Sequence, residues 1–210
     1  MLSRAPISLG KFEVDCCEMM FVQYLPIVMP DGSGRGSKIS IPRNVACFLP
    51  IIASACNDGG GTDPSSYVYL TAKHLFIPKD GAANRPGWHL DGFGTDDINF
   101  IWSNSLPTEF CVQEFDLSDD HDLSLQQMET QADKSNIITY PVGSLLRLDN
   151  TVVHRVAKCT EDHYRTFVKI SISRHQYNLK GNAHNYGFEY DWPMVERQAG
   201  RNHPIAMGVA

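Results

Sequence analysis

The chain has 210 residues, of which 42% are apolar and 20% charged, and its net charge is −6. That length suits one domain with a sizeable core, and the balance is that of an ordinary globular protein. No basic stripe is visible to neutralise phosphates, which argues against a nucleic-acid partner.

Sixteen glycines and twelve prolines favour a turn-rich β architecture over a helical bundle. Six cysteines, Cys16, Cys17, Cys47, Cys56, Cys111 and Cys159, form no CxxC pair and no zinc-ribbon spacing. The opening Met-Leu-Ser-Arg-Ala-Pro lacks the apolar run of an export signal. The longest near-apolar stretch, 45–56, is too short to span a bilayer and contains Pro50. Together these predict a cytoplasmic protein, without a membrane partner, whose thiols stay free.

In chain order, 12–28 is apolar-rich and partly alternating, as for one or two strands. Segment 31–37 is glycine-rich but lacks the Lys-Ser/Thr ending of a phosphate loop. Segment 42–56 reads as a helix. Pro42 suits its first position, Val45, Phe48, Leu49 and Ile52 share a face, and Pro50 should kink or split it. Strands are predicted at 67–77, 98–102 and 110–113. The acidic run Asp119-Asp120-His121-Asp122 reads as a solvated loop with an N-cap, leading into a helix over 124–134. Further strands follow at 137–140, 144–148, 151–156 and 166–173. Short strands separated by Gly, Pro and Asn-Asp turns predict an antiparallel sandwich or barrel. The expected organisation is one domain over 1–210: a core at about 67–173, support from 1–66, and a tail at 174–210 wrapping the surface with a short helix near 194–198.

The chemistry concentrates in Gly87-Trp-His-Leu-Asp-Gly92. On an extended strand, residues two apart face the same way, so His89 and Asp91 aim at one point. A mixed nitrogen and oxygen pair suits a borderline ion such as Fe(II). A third ligand is available in His154, 63 residues after Asp91. Two imidazoles and a carboxylate leave three adjacent octahedral positions open, the set associated with non-haem iron oxygenases. Arg165 opens a strand on which Val168, Ile170 and Ile172 share one face and Arg165, Phe167, Lys169, Ser171 and Ser173 the other. If the second face looks inward, Arg165 is a buried cation in need of an anion.

In these residues the chain resembles the Fe(II)/2-oxoglutarate-dependent dioxygenases, nearest in flavour to the phytanoyl-type and small hydroxylases. The family pattern is His-x-Asp, a long spacer, a distal His and an Arg about ten residues later, matched by His89, Asp91, His154 and Arg165. Trp88, Gly92 and the run Gly143-Ser-Leu-Leu-Arg-Leu-Asp-Asn150 match as well. The likeness covers roughly 67–173. Where many members carry Ser two positions after the Arg, this chain has Phe167, and Lys169 is a second candidate for the anion partner.

The resemblance implies a mainly β fold with flanking helices, a double-stranded β-helix of jelly-roll, cupin-like form. It implies Fe(II) on His89, Asp91 and His154, 2-oxoglutarate paired with Arg165, and O2 as co-substrate. The implied reaction hydroxylates a C–H bond of a small molecule or peptide side chain. A carboxylate at Asp91, where halogenating relatives have Ala or Gly, implies hydroxylation or a related oxidation. A further donor is expected from Tyr67, Tyr69, Thr71 or Lys73, which share one strand face. Loops 79–86 and 93–97 and parts of the tail are expected to frame the substrate mouth. Two other readings stay open: a cupin-type metalloenzyme without 2-oxoglutarate, and a non-catalytic β-barrel binding module.

Overall fold

The computed structural model describes residues 1–30, 38–59, 63–81, 83–92 and 94–197. The glycine-rich loop 31–37 lies outside the described residues, as does Gln198 of the expected tail helix. The described elements are β1 (Ile7–Lys11), β2 (Met20–Met29), β3 (Lys38–Ile39), α1 (Leu49–Gly59), β4 (Tyr67–Ile77), β5 (Ile98–Ser103), β6 (Thr108–Cys111), α2 (His121–Gln131), β7 (Ile137–Thr139), β8 (Ser144–Leu148), β9 (His154–Val156) and β10 (His163–Ser173). A larger sheet runs in the order β1-β8-β5-β10-β4-β2-β3, and a smaller one β7-β6-β9. Every strand pairing in both is antiparallel. The fold is mainly β with flanking helices, of the jelly-roll class.

Alternation builds the layers. On β10, Val168, Ile170 and Ile172 face outward from the sandwich and join Leu70, Ala72, Phe100 and Trp102 against Ile51, Ile52 and Ala55 of α1. On its other face, Phe167 joins Ile101, Leu146 and Leu148 of the large sheet and Phe110 of the small one. The two sheets therefore share an inner core. α2 covers the far side of the small sheet, with Met128 packed among Trp88, Leu90, Cys111 and Val153.

Several expected boundaries shift for local reasons. A 3₁₀ turn at Arg43–Phe48 precedes α1, and Pro50 falls in the first turn of α1, where its missing N–H costs no intrahelical bond. α2 starts earlier than expected because Asp120 caps it, accepting from Leu123 N at 2.8 Å. β9 starts later than expected. Asp149 Oδ1 accepts from both the amide and the hydroxyl of Thr151, at 2.9 and 2.6 Å, and holds a turn there. Residues 12–19 leave the ladder after β1, and residues 194–197 are not helical; Val195 makes a lone bridge to Leu179 instead. All six cysteines are free. Among the described residues, no helix is long and apolar enough to cross a membrane.

Candidate metal centre

His89 and His154 are brought together by backbone pairing. His89 N donates to His154 O and His154 N to His89 O, both at 3.0 Å. Residues exchanging both bonds of an antiparallel pair stand directly opposite and project to the same side. The imidazole centroids lie 4.5 Å apart. This single bridge adds a rung beside β9 and closes the long gap in sequence. Asp91 does not continue a strand, contrary to the extended i, i+2 reading; it sits in a turn, just before Gly92, whose O accepts from Thr95 N at 2.9 Å. Gly87 and Gly92, with φ of +84° and +70°, make the entry and exit bends that a side chain would strain. One ligand atom from each of His89, Asp91 and His154 still falls within 4.8 Å of the other two.

The donor set fits a divalent ion. Each Nδ1 lies 2.9 Å from a carbonyl, Gly87 O for His89 and Val152 O for His154. A carbonyl only accepts, so each Nδ1 carries the proton and Nε2 is the lone-pair nitrogen. Asp91 Oδ2 lies 3.6 Å from His154 Nε2, while Oδ1 pairs with Lys169 Nζ at 3.2 Å. Burial pushes the Asp91 carboxyl up, but the charge of Lys169, with the neighbouring His154 and His89, outweighs it and holds it well below the usual value. Burial likewise opposes the charge on Lys169, and Asp91 and Tyr24 more than restore it. The carboxylate is thus ionised and aimed before any ion arrives.

These residues line a cavity of about 200 Å³ between the sheets. Phe167, Ile101 and Val156 give it apolar walls, and Lys73, Arg85 and Lys169 give it cations. Lys73 reaches Asn84 Oδ1 at 3.1 Å and lies over the Phe21 ring. Burial, with the nearby charges of Arg165 and Lys169, lowers its pKa. Among the described residues neither Lys73 nor Arg85 is paired with a carboxylate.

Arg165 faces inward, as the alternation predicts, yet it lies behind the cavity wall. It is 2% exposed and its guanidinium sits 5.0 Å from the Phe167 ring centre. Its Nε donates to Ser105 O at 3.1 Å and Nη2 to Leu106 O at 3.3 Å. Burial lowers its pKa to about 10, which leaves it charged at neutral pH.

No family model matches the chain, and no curated protein matches it. Solved structures of similar shape include EvdMO1, at 13% identity over 67% of this chain, with a TM-score of 0.46; the chain spans 37% of EvdMO1. EvdO2 from Micromonospora carbonacea var. aurantiaca, complexed with 2-oxoglutarate, is 14% identical over 73% of this chain and 76% of its own, with a TM-score of 0.41. A 2OG-Fe(II) oxygenase family oxidoreductase from Burkholderia pseudomallei is 14% identical over 81% of this chain and 73% of its own, with a TM-score of 0.39. At these identities and scores none of them bears on what this chain does.

Loop 79–86 supplies Asn84 and Arg85 to the cavity, whereas no described residue of 93–97 or of the tail lines it. Of the four early-strand candidates, Thr71 and Lys73 reach it. Gln23 and Tyr24 were not foreseen. They sit where β2 slips register between Val22 and Leu25, with Tyr24 at φ 47° and its N–H donating to Thr71 Oγ1 at 3.1 Å. A bulge of this kind re-aims a side chain, and nothing in the local alternation marks it.

Proposed function

We propose that the chain is a non-haem Fe(II)- and 2-oxoglutarate-dependent oxygenase that hydroxylates a C–H bond of a small molecule or peptide side chain. The observation that carries this reading is the His89–His154 rung, which sets two Nε2-directed imidazoles beside the Asp91 carboxylate at a cation-rich cavity. His89, Asp91 and His154 would hold the iron, with Lys169 fixing the orientation of the carboxylate. The far carboxylate of 2-oxoglutarate would meet Lys73 on the cavity wall, with the charge of Arg165 behind it. When bound, the iron and 2-oxoglutarate supply an oxidising equivalent from O2 as 2-oxoglutarate is converted to succinate and CO2. The chain's own part is to align substrate: Phe167, Ile101 and Val156 would offer it an apolar wall, and Lys73 and Arg85 would draw in anionic groups.

Anaerobic Fe(II) titration with and without 2-oxoglutarate, followed by oxygen and a succinate assay, tests the reading. A visible charge-transfer band that needs both components, then succinate, is the expected result. Iron binding without any response to 2-oxoglutarate would instead favour a cupin-type metalloenzyme. One observation speaks for that second reading: Arg165 already spends donors on the carbonyls of Ser105 and Leu106. Absence of both iron binding and succinate would leave a non-catalytic binding module.

A further inference from the structure

Asp96, Asp97 and His175 form another group of metal-ligating side chains, distinct from the triad. One ligand atom of each lies within 4.8 Å of the others. Strand register explains the meeting. Ile98 at the start of β5 stands opposite Ile172 near the end of β10. In an antiparallel pair, the residues just before the one strand and just after the other arrive at the same end of the sheet.

The three side chains differ in burial. Asp96 and His175 reach solvent, and Asp96 Oδ1 lies 3.9 Å from His175 Nε2, too far for a hydrogen bond. Asp97 is 2% exposed. Its Oδ2 accepts from the Tyr177 hydroxyl, while its Oδ1 is buried with no hydrogen-bond partner. Among the described residues no Lys or Arg is paired with Asp97. A buried carboxylate satisfied on one oxygen only is costly, and a cation is what removes the cost. Asp91, the other carboxylate set deep in a candidate site, has its cation in Lys169.

We propose that Asp96, Asp97 and His175 hold a divalent transition-metal ion of the manganese or zinc class, at a site separate from His89, Asp91 and His154. Two carboxylates and one imidazole make a hard, oxygen-rich set without thiolate, and the imidazole favours such ions over calcium or magnesium. The exposed Asp96 and the half-exposed His175 would close over the ion from the solvent side, with Asp97 as the buried anchor. The site also has a mechanical reach. Gly92, next to Asp91, packs so closely that a Cβ there would come 3.2 Å from Asp97 Cβ and 3.7 Å from Asn99 Nδ2. An ion bound here fastens the turn that carries Asp91 to the end of β10.

The test is equilibrium binding of Mn2+ to the metal-stripped full chain, with free ion counted by its electron paramagnetic resonance signal. Manganese is chosen because it leaves the six free thiols out of the count. The expected result is two ions per wild-type chain. His89→Ala/His154→Ala should keep one of them. His175→Ala and Asp96→Asn, both at partly exposed positions, should each keep the triad's ion and weaken the other on the order of tenfold or more. Two ions retained at unchanged affinity in His175→Ala and Asp96→Asn would overturn the proposal. So would a single wild-type ion that disappears in His89→Ala/His154→Ala. A single ion that survives in that double variant but is lost in His175→Ala would uphold this site and remove the triad. No bound manganese in the wild type would sink both.

Discussion

The two faces of the large sheet are both buried, but one is apolar throughout its centre and the other mixes apolar with polar residues. The face toward α1 carries Leu70, Phe100, Val168 and Ile170, all inaccessible to solvent. The face toward the small sheet carries Thr71, Asn99, Arg165 and Ser171, each at most 7% exposed. The outer face earns its stability from apolar area, about 25 cal/mol per Å² removed from water. On the inner face each polar group needs its own partner, so order there depends on particular pairs: Lys169 with Asp91, Ser171 with Asn99, Arg165 with two carbonyls. A sheet that sets such polar pairs beside the apolar cluster of Phe167, Ile101 and Leu148 on one face is built around more than packing.

The largest effect should separate the faces directly. Phe100→Ala and Lys169→Met are each expected to cost about 3–5 kcal/mol in urea denaturation of the metal-free protein, the first through a cavity and the second by leaving Asp91 buried and unpaired. A divalent ion should restore much of the loss in Lys169→Met, because the ion replaces the missing cation, and little of it in Phe100→Ala. Equal response to metal in the two variants would break the contrast.

A smaller effect is expected at Arg165. Losing a charge-assisted contact of about 1.5–3 kcal/mol corresponds to roughly 10- to 150-fold weaker 2-oxoglutarate binding in Arg165→Ala, with iron affinity nearly unchanged. Parallel titrations of the two ligands decide it, and equal losses would make Arg165 purely structural. Lys73→Met, compared by the same titrations, shows which of the two cations carries more of the anion.

The smallest effect is in pH. Lys73 has a folded-state pKa below its ordinary value of 10.5, so the unfolded chain binds its proton more tightly. Its contribution to stability is therefore present above pH 10.5 and lost as pH falls through the lower, folded value. Denaturation midpoints across this alkaline window should rise with pH more steeply in the wild type than in Lys73→Met. Coincident slopes would mean that the ammonium is better solvated than its surroundings suggest.

Much of this was legible in the sequence because it was local. Alternation along Val168, Ile170 and Ile172 assigned the faces of β10, and the spacing of Val45, Phe48 and Ile52 marked the helical segment over the outer face. The residue types at 89, 91 and 154 carried the site's chemistry. What stayed hidden depends on distant partners. The bulge at Tyr24 exists because β2 slips against β4. The donors of Arg165 are met by carbonyls of a loop some sixty residues earlier in the chain. The pairing of Lys169 with Asp91 joins a strand to a turn that no periodicity connects.

The mutual rung between His89 and His154 also bears on the order of events during synthesis. His89 leaves the ribosome long before its partner, and closing so long a loop carries an entropic cost that short-range contacts do not repay. Until β9 is made and docks, the first histidine and its neighbouring carboxylate have no third companion. The centre is therefore a late product of folding, as is the sheet under the outer helix, whose middle strand β10 follows β9 in the chain. A nascent or truncated chain ending before residue 154 would lack the complete site, so metal loading is coupled to completion of the sandwich.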